Sequence, residues 1–212
     1  MTQVNRPYDT LKRVLDVVVS GVGLVALSPV AAAVAVSVAV KLGRPVVFTQ
    51  DRPGKDGRVF RLYKFRTMKN VDPSQGLVTD AERLTPFGAA LRSTSLDELP
   101  TLLNVFKGDM SLVGPRPLLV HYLERYSAKQ ARRHEVRPGI TGLAQVSGRN
   151  SIGWDEKLAF DVEYVDGRGL ALDMKIMWAT LRAVVKREGI SADGHVTTRE
   201  FTGSHKNPGD LR

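Results

Sequence analysis

Two adjacent carboxylates stand in the segment Ser95-Leu96-Asp97-Glu98-Leu99-Pro100, and arginines lie near them in the sequence. Arg92 precedes the pair closely, and Arg116 follows within the rigid turn Gly114-Pro115-Arg116-Pro117. Two carboxylates near groups that bind phosphate indicate phosphoryl transfer, in which one carboxylate attacks phosphorus and its neighbour holds magnesium against the phosphate oxygens. Magnesium favours such ligation, with one or two carboxylates completed by substrate oxygens and water.

The same residues also have a purely structural interpretation. Ser95 and Glu98 fit the S-x-x-E capping box, and Asp97 would be favourable near the positive end of a helix. Each arginine would then be solvated or paired with a carboxylate. The prolines on both sides of Arg116 fix its backbone, however, and would hold a planar, bidentate donor ready for an anionic oxygen.

Composition limits the classes of function. The chain has 212 residues, enough for one domain with a modest core besides an N-terminal segment and a tail. Its net charge of +9 implies a polyanionic partner, which could be nucleic acid, anionic lipid or a phosphorylated substrate. The absence of cysteine excludes disulfides, thiolate zinc sites and cysteine nucleophiles. The four histidines form no H-E-x-x-H pair, which argues against a histidine-based metalloprotease.

An uncharged apolar run extends from Val17 to Val40 and is interrupted by Ser28-Pro29. As one straight helix it would measure ~36 Å, against a hydrocarbon core of ~30 Å. Pro29 favours a bend, and Ser28 could satisfy the carbonyl that the proline leaves free. Both flanks of the run are basic, so we expect a re-entrant hairpin helix whose two ends stay on the cytoplasmic face.

Other interpretations of this run remain. A single membrane span is the serious alternative, and a buried core helix of a soluble protein stays open because valine and alanine outnumber leucine. A signal peptide would need a shorter apolar core and a cleavage site. The run also contains a strand-like segment followed by G-x-G-x-x-A, but no acidic residue between Asp16 and Asp51 could hold a ribose, so we reject a dinucleotide site.

The rest of the chain predicts an α-rich α+β fold with little sheet. A short β-hairpin is expected from residues 45–50 and 58–68, and a glycine-rich, irregular stretch from 137–149. Helices are predicted over 86–92, 99–106, 118–133, 154–165 and 172–187. The expected organisation is an N-terminal membrane segment, a small and mostly helical cytoplasmic catalytic domain and a polar tail, with bounds 1–44, 45–188 and 189–212.

Several long motifs together resemble the bacterial monotopic phosphoglycosyl transferases, in the order that this family has them. They follow Lys12-Arg13 and the Ser28-Pro29 membrane run, and they are FTQDRPG (48–54), YKFRTM (63–68), SLDELP (95–100), KGDMSLVGPRP (107–117) and RPGITG (137–142). The resemblance implies transfer of a sugar phosphate from a nucleotide diphosphate sugar to a polyprenol phosphate, with release of a nucleoside monophosphate. It also implies a minimal member, with no room for further spans or an accessory domain.

The resemblance implies roles for single residues. Asp97 corresponds to the nucleophile that forms a phosphosugar-aspartate, and Glu98 to its partner in binding Mg²⁺. Further positions correspond to phosphate-binding or nearby polar residues: Arg92, Arg116, Lys64, Arg149 and Asp173. For Asp173 a salt bridge on a helix surface is an equally good interpretation.

The resemblance also implies partners and a location. Expected are a UDP-sugar donor, undecaprenyl phosphate as acceptor, UMP as product and the bacterial inner membrane. The tail from Gly194 to Gly203 resembles that of small members that start protein glycosylation, which points to UDP-diacetylbacillosamine or a relative. The residues leave open whether the chain forms a homodimer.

A rival class is a membrane-tethered basic binding protein. Residues 58–69 would then hold nucleic acid, with Phe60, Tyr63 and Phe65 stacking on bases, while Asp97 and Glu98 only cap a helix. No nucleic-acid motif accompanies this charge, and basic residues beside a membrane segment more often meet lipid headgroups, so we expect no nucleic acid. A soluble scaffold with a buried apolar helix is the second rival.

Overall fold

A computed structural model describes residues 6–148, 152–186 and 200–203. In these ranges the chain is mainly helical, with two small two-stranded sheets, as the sequence predicts. The α-helices are α1 (Pro7–Ala26), α2 (Ser28–Leu42), α3 (Asp80–Arg83), α4 (Pro86–Ser93), α5 (Thr101–Lys107), α6 (Ala128–Ala131), α7 (Leu143–Ser147), α8 (Trp154–Gly167) and α9 (Leu170–Lys186). The strands are β1 (Val47–Pro53), β2 (Val59–Phe65), β3 (Ser111–Val113) and β4 (Gly139–Thr141). Five 3-10 turns cover Lys55–Gly57, Pro73–Gln75, Leu96–Glu98, Val120–Arg125 and Arg132–Glu135.

Helices α1 and α2 meet at the predicted bend, with an angle of 61° between them. Pro29 cannot donate to the carbonyl of Val25, and the Ser28 hydroxyl donates to that oxygen instead, at 2.8 Å. In the part of the chain that the structure describes, no single helix is both long and apolar enough to cross a membrane, whereas the bent pair is, by length and composition. The bend is therefore confirmed, and the re-entrant membrane path remains a prediction.

The bent pair of helices α1 and α2 packs one side against the rest of the protein and exposes apolar side chains on another side. Val34 and Val38 of α2 are buried against Phe65 and Leu91. By contrast, large apolar side chains on both helices are exposed, among them Val18, Val22, Val25, Val36 and Val40, up to 79% for Val40. A contiguous apolar surface of this kind is rare on a soluble monomer and typical of a contact with a membrane or a partner.

Polar contacts fasten the first half of α1 to the remaining domain. Asp16 is only 3% exposed, and its Oδ1 accepts a hydrogen bond from the backbone of Leu112 at 3.0 Å. Arg13 donates to the carbonyl of Val105 at 2.7 Å, at the end of α5. The basic residues before the apolar run thus bind protein carbonyls and carboxylates, and α1 is built into the domain that carries the site.

The predicted β-hairpin is confirmed. Strands β1 and β2 pair antiparallel, with Phe48 opposite Lys64 and Arg52 opposite Phe60. Leu62 on β2 packs with Val105 and Met110, which joins the hairpin to α5.

The stretch 137–149 is more regular than predicted, because β4 pairs parallel with β3 and α7 follows it. The expectation of an irregular loop is wrong here for a steric reason. A Cβ on Gly139 would lie 2.1 Å from the nitrogen of Gly114, so only glycine permits this approach of the two backbones. The close contact places the turn before Arg116 against β4.

The prediction of a single amphipathic helix over residues 118–133 is also wrong. Two 3-10 turns and the short α6 occupy this region, and Tyr126 between them is extended. Ser127 starts α6 with a capping box to Gln130, and a capping box begins a new helix rather than continuing an old one. The predicted helices over 154–165 and 172–187 correspond to α8 and α9.

Most of the predicted polar tail lies outside the described residues. Within residues 200–203, Phe201 is 1% exposed and packs among Tyr122, Tyr126 and Trp154. This piece of the tail is therefore part of an aromatic cluster.

Candidate active site

The carboxylate pair lies in a tight connection between α4 and α5. Ser95 has a left-handed backbone, with φ of 56°, and is followed by the 3-10 turn that contains Asp97 and Glu98. A non-glycine residue in this conformation is strained, and such strain concentrates at functional sites. The Ser95 side chain makes no cap hydrogen bond, so the capping-box interpretation of Ser95 and Glu98 is wrong.

Helix α5 is fixed to strand β2 by side chains that hydrogen-bond to the backbone of the strand. Thr101 donates to the carbonyl of Tyr63 at 2.9 Å, and Asn104 accepts from the backbone of Tyr63 at 3.1 Å. Asn104 also donates to the carbonyl of Arg61 at 2.8 Å. Both side chains are buried, so these bonds hold the β2 backbone, and with it Lys64, against the start of α5.

Glu98 is held by two cations. Its Oε1 lies 2.5 Å from Lys64 Nζ and 3.5 Å from Arg116 Nη2. Burial acts to raise the pKa of Glu98, but Lys64 and Arg116 outweigh burial and lower it. Glu98 is therefore ionised at neutral pH and cannot serve as a general acid there.

Asp97 differs from its neighbour. It is 7% exposed, and burial together with the charge of Glu98 raises its pKa to about 6, against the opposing effect of Lys64, Arg92 and Arg116. Its Oδ1 is buried and has no hydrogen-bond partner among the described residues. A buried carboxylate oxygen without a partner has its lone pairs available for an electrophile or a cation.

Arg92 reaches the site from the last turn of α4. Its Nε donates to the Thr67 hydroxyl at 3.0 Å, and Asp97 is the carboxylate that most stabilises its charge. Gly88 allows this approach, because a Cβ there would lie 1.8 Å from the carbonyl oxygen of Thr67. Burial lowers the pKa of Arg92, whose guanidinium forms no ion pair with a carboxylate among the described residues.

The turn that carries Arg116 is held from behind by a buried ion pair. Arg133 donates to the carbonyl of Arg116 at 2.6 Å and, through Nε, to Asp161 of α8 at 2.9 Å; its Nη2 also forms an ion pair with the same Asp161 oxygen at 2.8 Å. Arg133 and Asp161 are 2% and 4% exposed. Sequence reasoning missed this pair; the available signal was an aspartate on the buried stripe of α8, where a carboxylate requires a partner.

The structure brings together Lys64, Arg92, Asp97, Glu98 and Arg116, all of which were predicted as site residues. Arg149 lies outside the described residues. Asp173 accepts hydrogen bonds from Tyr8 and Tyr164 and pairs with Lys12, so its observed contacts lie between α1, α8 and α9. The predicted role of Asp173 in supporting the site therefore stays a prediction.

The pair Asp97 and Glu98 fits the predicted magnesium ion in donor chemistry. Asp97 offers an unpartnered carboxylate oxygen beside a second, ionised carboxylate. Among the described residues no group of three or more His, Cys, Asp or Glu side chains forms a complete metal site. Two carboxylates suffice for magnesium when substrate phosphates and water supply the remaining ligands.

Two of the three aromatic residues proposed for nucleic-acid stacking make contacts within the protein. Phe65 is 6% exposed in the core beside α2, and Lys107 lies over the ring of Tyr63 at 5.1 Å. Lys64 between them pairs with Glu98. These contacts weigh against the nucleic-acid interpretation, because stacking requires accessible ring faces.

Comparison with known proteins identifies the family. The sequence model of the bacterial sugar transferase family matches residues 7–187. The chain is 52% identical over 195 residues to an uncharacterized sugar transferase, EpsL of Bacillus subtilis, covering 92% of this chain and 96% of that protein. It is 39% identical to the undecaprenyl-phosphate galactose phosphotransferase of Salmonella typhimurium, over 84% of this chain and 41% of that protein. It is also 39% identical to the UDP-glucose:undecaprenyl-phosphate glucose-1-phosphate transferase of Klebsiella pneumoniae, over 80% of this chain and 39% of that protein.

The chain therefore belongs to the bacterial sugar transferase family, and the predicted resemblance is confirmed at this level. It is an enzyme of the transferase class. The chain spans about two fifths of the length of the Salmonella and Klebsiella relatives.

Proposed function

We propose that this protein transfers a sugar 1-phosphate from a UDP-sugar to undecaprenyl phosphate through a phosphosugar covalently bound to Asp97, with release of UMP. The observation that carries the proposal is the buried, unpartnered Oδ1 of Asp97 beside Glu98 and three cationic side chains. Relatives from Salmonella and Klebsiella are named for the same class of reaction.

The chemistry follows from the two carboxylates. With a pKa of about 6, Asp97 is mostly ionised at neutral pH, and its free oxygen attacks the phosphorus that carries the sugar. The bond from that phosphorus to the bridging oxygen breaks, and the electron pair leaves with UMP. An oxygen of undecaprenyl phosphate then attacks the same phosphorus and releases the Asp97 carboxylate. The acceptor is already an anion, so it has little need of a general base.

The cationic side chains neutralise negative charge on the phosphate oxygens during both steps. Arg116 and Arg92 offer guanidinium donors for phosphate oxygens, and Lys64 keeps Glu98 ionised and oriented. When Mg²⁺ is bound by Glu98 and Asp97, it neutralises negative charge on the diphosphate. Activity should therefore disappear with a chelator and return with added magnesium, and full turnover in excess chelator would contradict the role of Glu98.

We further propose that α1 and α2 form a re-entrant hairpin in the inner membrane, with the catalytic domain on the cytoplasmic face. The exposed valines of both helices and the Ser28–Pro29 bend support this path. The chain has no native cysteine, so single cysteines at Gln3 and Lys55 can be labelled selectively. Labelling from the same side is expected, and labelling from opposite sides would show a membrane span.

The donor sugar and the reaction are tested together. Purified enzyme is incubated with undecaprenyl phosphate, magnesium and UDP-diacetylbacillosamine, UDP-glucose or UDP-galactose, and released UMP is measured. Diacetylbacillosamine is the donor that the tail favours, whereas glucose and galactose appear in the names of relatives. Donor alone should release about one UMP per enzyme and leave an adduct on Asp97, found by intact-protein mass spectrometry and peptide mapping. An adduct on another residue, or no release with any donor, would overturn the proposal.

A further inference from the structure

A pocket of about 90 Å³ lies beside the carboxylate pair, between the β-hairpin and the turn that carries Arg116. A water molecule needs ~10–15 Å³ by this measure, so the pocket has room for a group larger than one water. Four charged side chains line it, three cationic and one anionic: Arg52, Lys64, Arg116 and Glu98. Among the described residues, Glu98 lines the pocket, whereas Asp97 and Arg92 do not.

Arg52 in this pocket has no acidic partner among the described residues. Its guanidinium donates to the Gln50 amide oxygen at 2.5 Å and to the carbonyl of Pro117 at 3.3 Å, and both acceptors are neutral. The Nε atom is buried and makes no hydrogen bond within the described part of the chain. A half-buried guanidinium in this state has unused donors and an uncompensated charge, and both favour binding of an anion.

The electrostatics of Arg52 support the same conclusion. Burial, followed by repulsion from Arg116, lowers its pKa to about 10. Arg116 also stabilises the charge of Asp97, so Arg116 interacts electrostatically with both groups. An anion placed next to Arg116 and Arg52 therefore relieves the repulsion between these two cations.

We propose that Arg52 binds the phosphate of the donor that leaves as the nucleoside monophosphate. This inference rests on the proposed function, since it divides the diphosphate between two positions. The phosphorus attacked by Asp97 lies on the Arg92 side, and the leaving phosphate lies in the pocket with Arg116 and Arg52. The leaving phosphate gains negative charge when the bridging bond breaks, and phosphate monoesters carry about −1.5 to −2 at pH 7. The excess of cations in the pocket matches that charge.

Variants of Arg52 test this assignment through UMP binding, measured by isothermal titration calorimetry on the full-length protein in detergent with magnesium. Loss of one charge-assisted hydrogen bond costs ~1.5–3 kcal/mol, so Arg52→Gln should weaken UMP binding about 10- to 150-fold. Arg52→Lys should bind UMP more tightly than Arg52→Gln but less tightly than wild type, because lysine keeps the charge and loses the fork.

Arg61→Gln is the matched control. Arg61 lies on the same hairpin, is mostly exposed and pairs with Asp51 at 3.6 Å, so its substitution removes the same charge outside the pocket. UMP affinity close to wild type is expected for the control. Equal weakening in Arg61→Gln and Arg52→Gln would show a general charge effect and overturn the assignment. Lower melting temperatures for the Arg52 variants with unchanged UMP affinity would also overturn it, because Arg52 would then only hold the Pro117 turn.

Kinetic measurements distinguish binding of the donor's phosphate from binding of the phosphate of undecaprenyl phosphate. In the donor-only reaction Arg52→Gln should raise the UDP-sugar concentration needed for half-maximal UMP release. In the complete reaction the KM for undecaprenyl phosphate should change little. A change confined to the acceptor KM would assign the pocket to the lipid phosphate and overturn the proposal. If wild type releases no UMP from any donor, the proposed function fails, whereas the comparison of UMP binding still tests Arg52.

Discussion

Asp97 and Asp161 are both buried carboxylates, but their partners differ completely. Asp161 is 4% exposed, accepts a hydrogen bond from Arg133 Nε and forms a close ion pair with the same guanidinium. Asp97 is 7% exposed, and its Oδ1 has no partner within the described residues. Burial raises the pKa of both groups, so the pKa direction does not distinguish them.

Hydrogen bonding is what distinguishes the two carboxylates within the described residues. The Arg133–Asp161 pair uses its donors and acceptors internally and supports the backbone of Arg116. The cations near Asp97 are engaged with Glu98 or Thr67, and the Oδ1 of Asp97 has no hydrogen-bond partner among the described residues. We therefore expect substitution of Asp97 to affect activity and substitution of Asp161 to affect stability.

The largest expected effect is that of Asp97→Asn. An amide cannot form the acyl phosphate, so UMP release should fall about 10⁴-fold or more, and the donor-only adduct should disappear. Glu98→Gln is the companion variant, and it should retain a slow trace of activity. Substantial activity in Asp97→Asn, with an adduct on another residue, would show that Asp97 is not the nucleophile and does not differ from Asp161 in this respect.

Asp161→Asn should mainly reduce stability. It leaves the buried charge of Arg133 without its carboxylate, and breaking a buried pair costs ~3–5 kcal/mol. Chemical denaturation of detergent-solubilised protein measures this loss. Asp166→Asn, also on α8, is the control: Asp166 pairs with Arg132 near the surface, where an ion pair contributes about 0–1 kcal/mol. Equal losses in the two variants would refute a special role for the buried pair.

Arg116→Lys should be harmful although it keeps the charge. Lysine cannot provide the planar fork of the guanidinium, and we expect kcat/KM to fall about 10- to 100-fold. The Arg133 bond to the backbone of residue 116 is retained, so the melting temperature should stay near that of wild type. Unchanged steady-state kinetics would show that the guanidinium of Arg116 has only a structural role.

The smallest expected effect is on pH dependence. Because the pKa of Asp97 is raised to about 6, adduct formation should fall about tenfold between pH 7 and pH 5 as the nucleophile becomes protonated. A pH-independent rate of adduct formation over this range would contradict the assignment.

The stability effect of the same pKa shift has the opposite dependence on pH. A carboxyl whose pKa is higher when folded stabilises the protein below the unfolded pKa, and this contribution is lost as pH rises through 6. Relative to wild type, Asp97→Asn should therefore gain stability between pH 4 and pH 7, by up to about 3 kcal/mol. Denaturation of both proteins across this range measures the difference, and a gain that shrinks with rising pH would contradict the pKa shift.

The sequence by itself determined features that depend on neighbouring residues. The Ser28–Pro29 bend, the β-hairpin, helices α8 and α9 and the adjacency of Asp97 to Glu98 all follow from patterns within a few positions. Such patterns act through backbone dihedral angles and local hydrogen bonds, which the nearby chain controls. The motifs likewise carried the family assignment, which the comparisons confirm.

The tertiary structure decided which side chains use one another as partners. Glu98 and Ser95 fit a capping box in sequence, yet Lys64 and Arg116 take Glu98 instead. Arg133 and Asp161 are 28 positions apart, and their pairing depends on how α8 packs against the turn before β4. Long-range charge pairing follows from burial and packing, because a buried ion must find a partner wherever the fold brings one within reach. For that reason neither the Arg133–Asp161 pair behind Arg116 nor the lack of a carboxylate partner for Arg52 among the described residues was predictable from the order of residues alone.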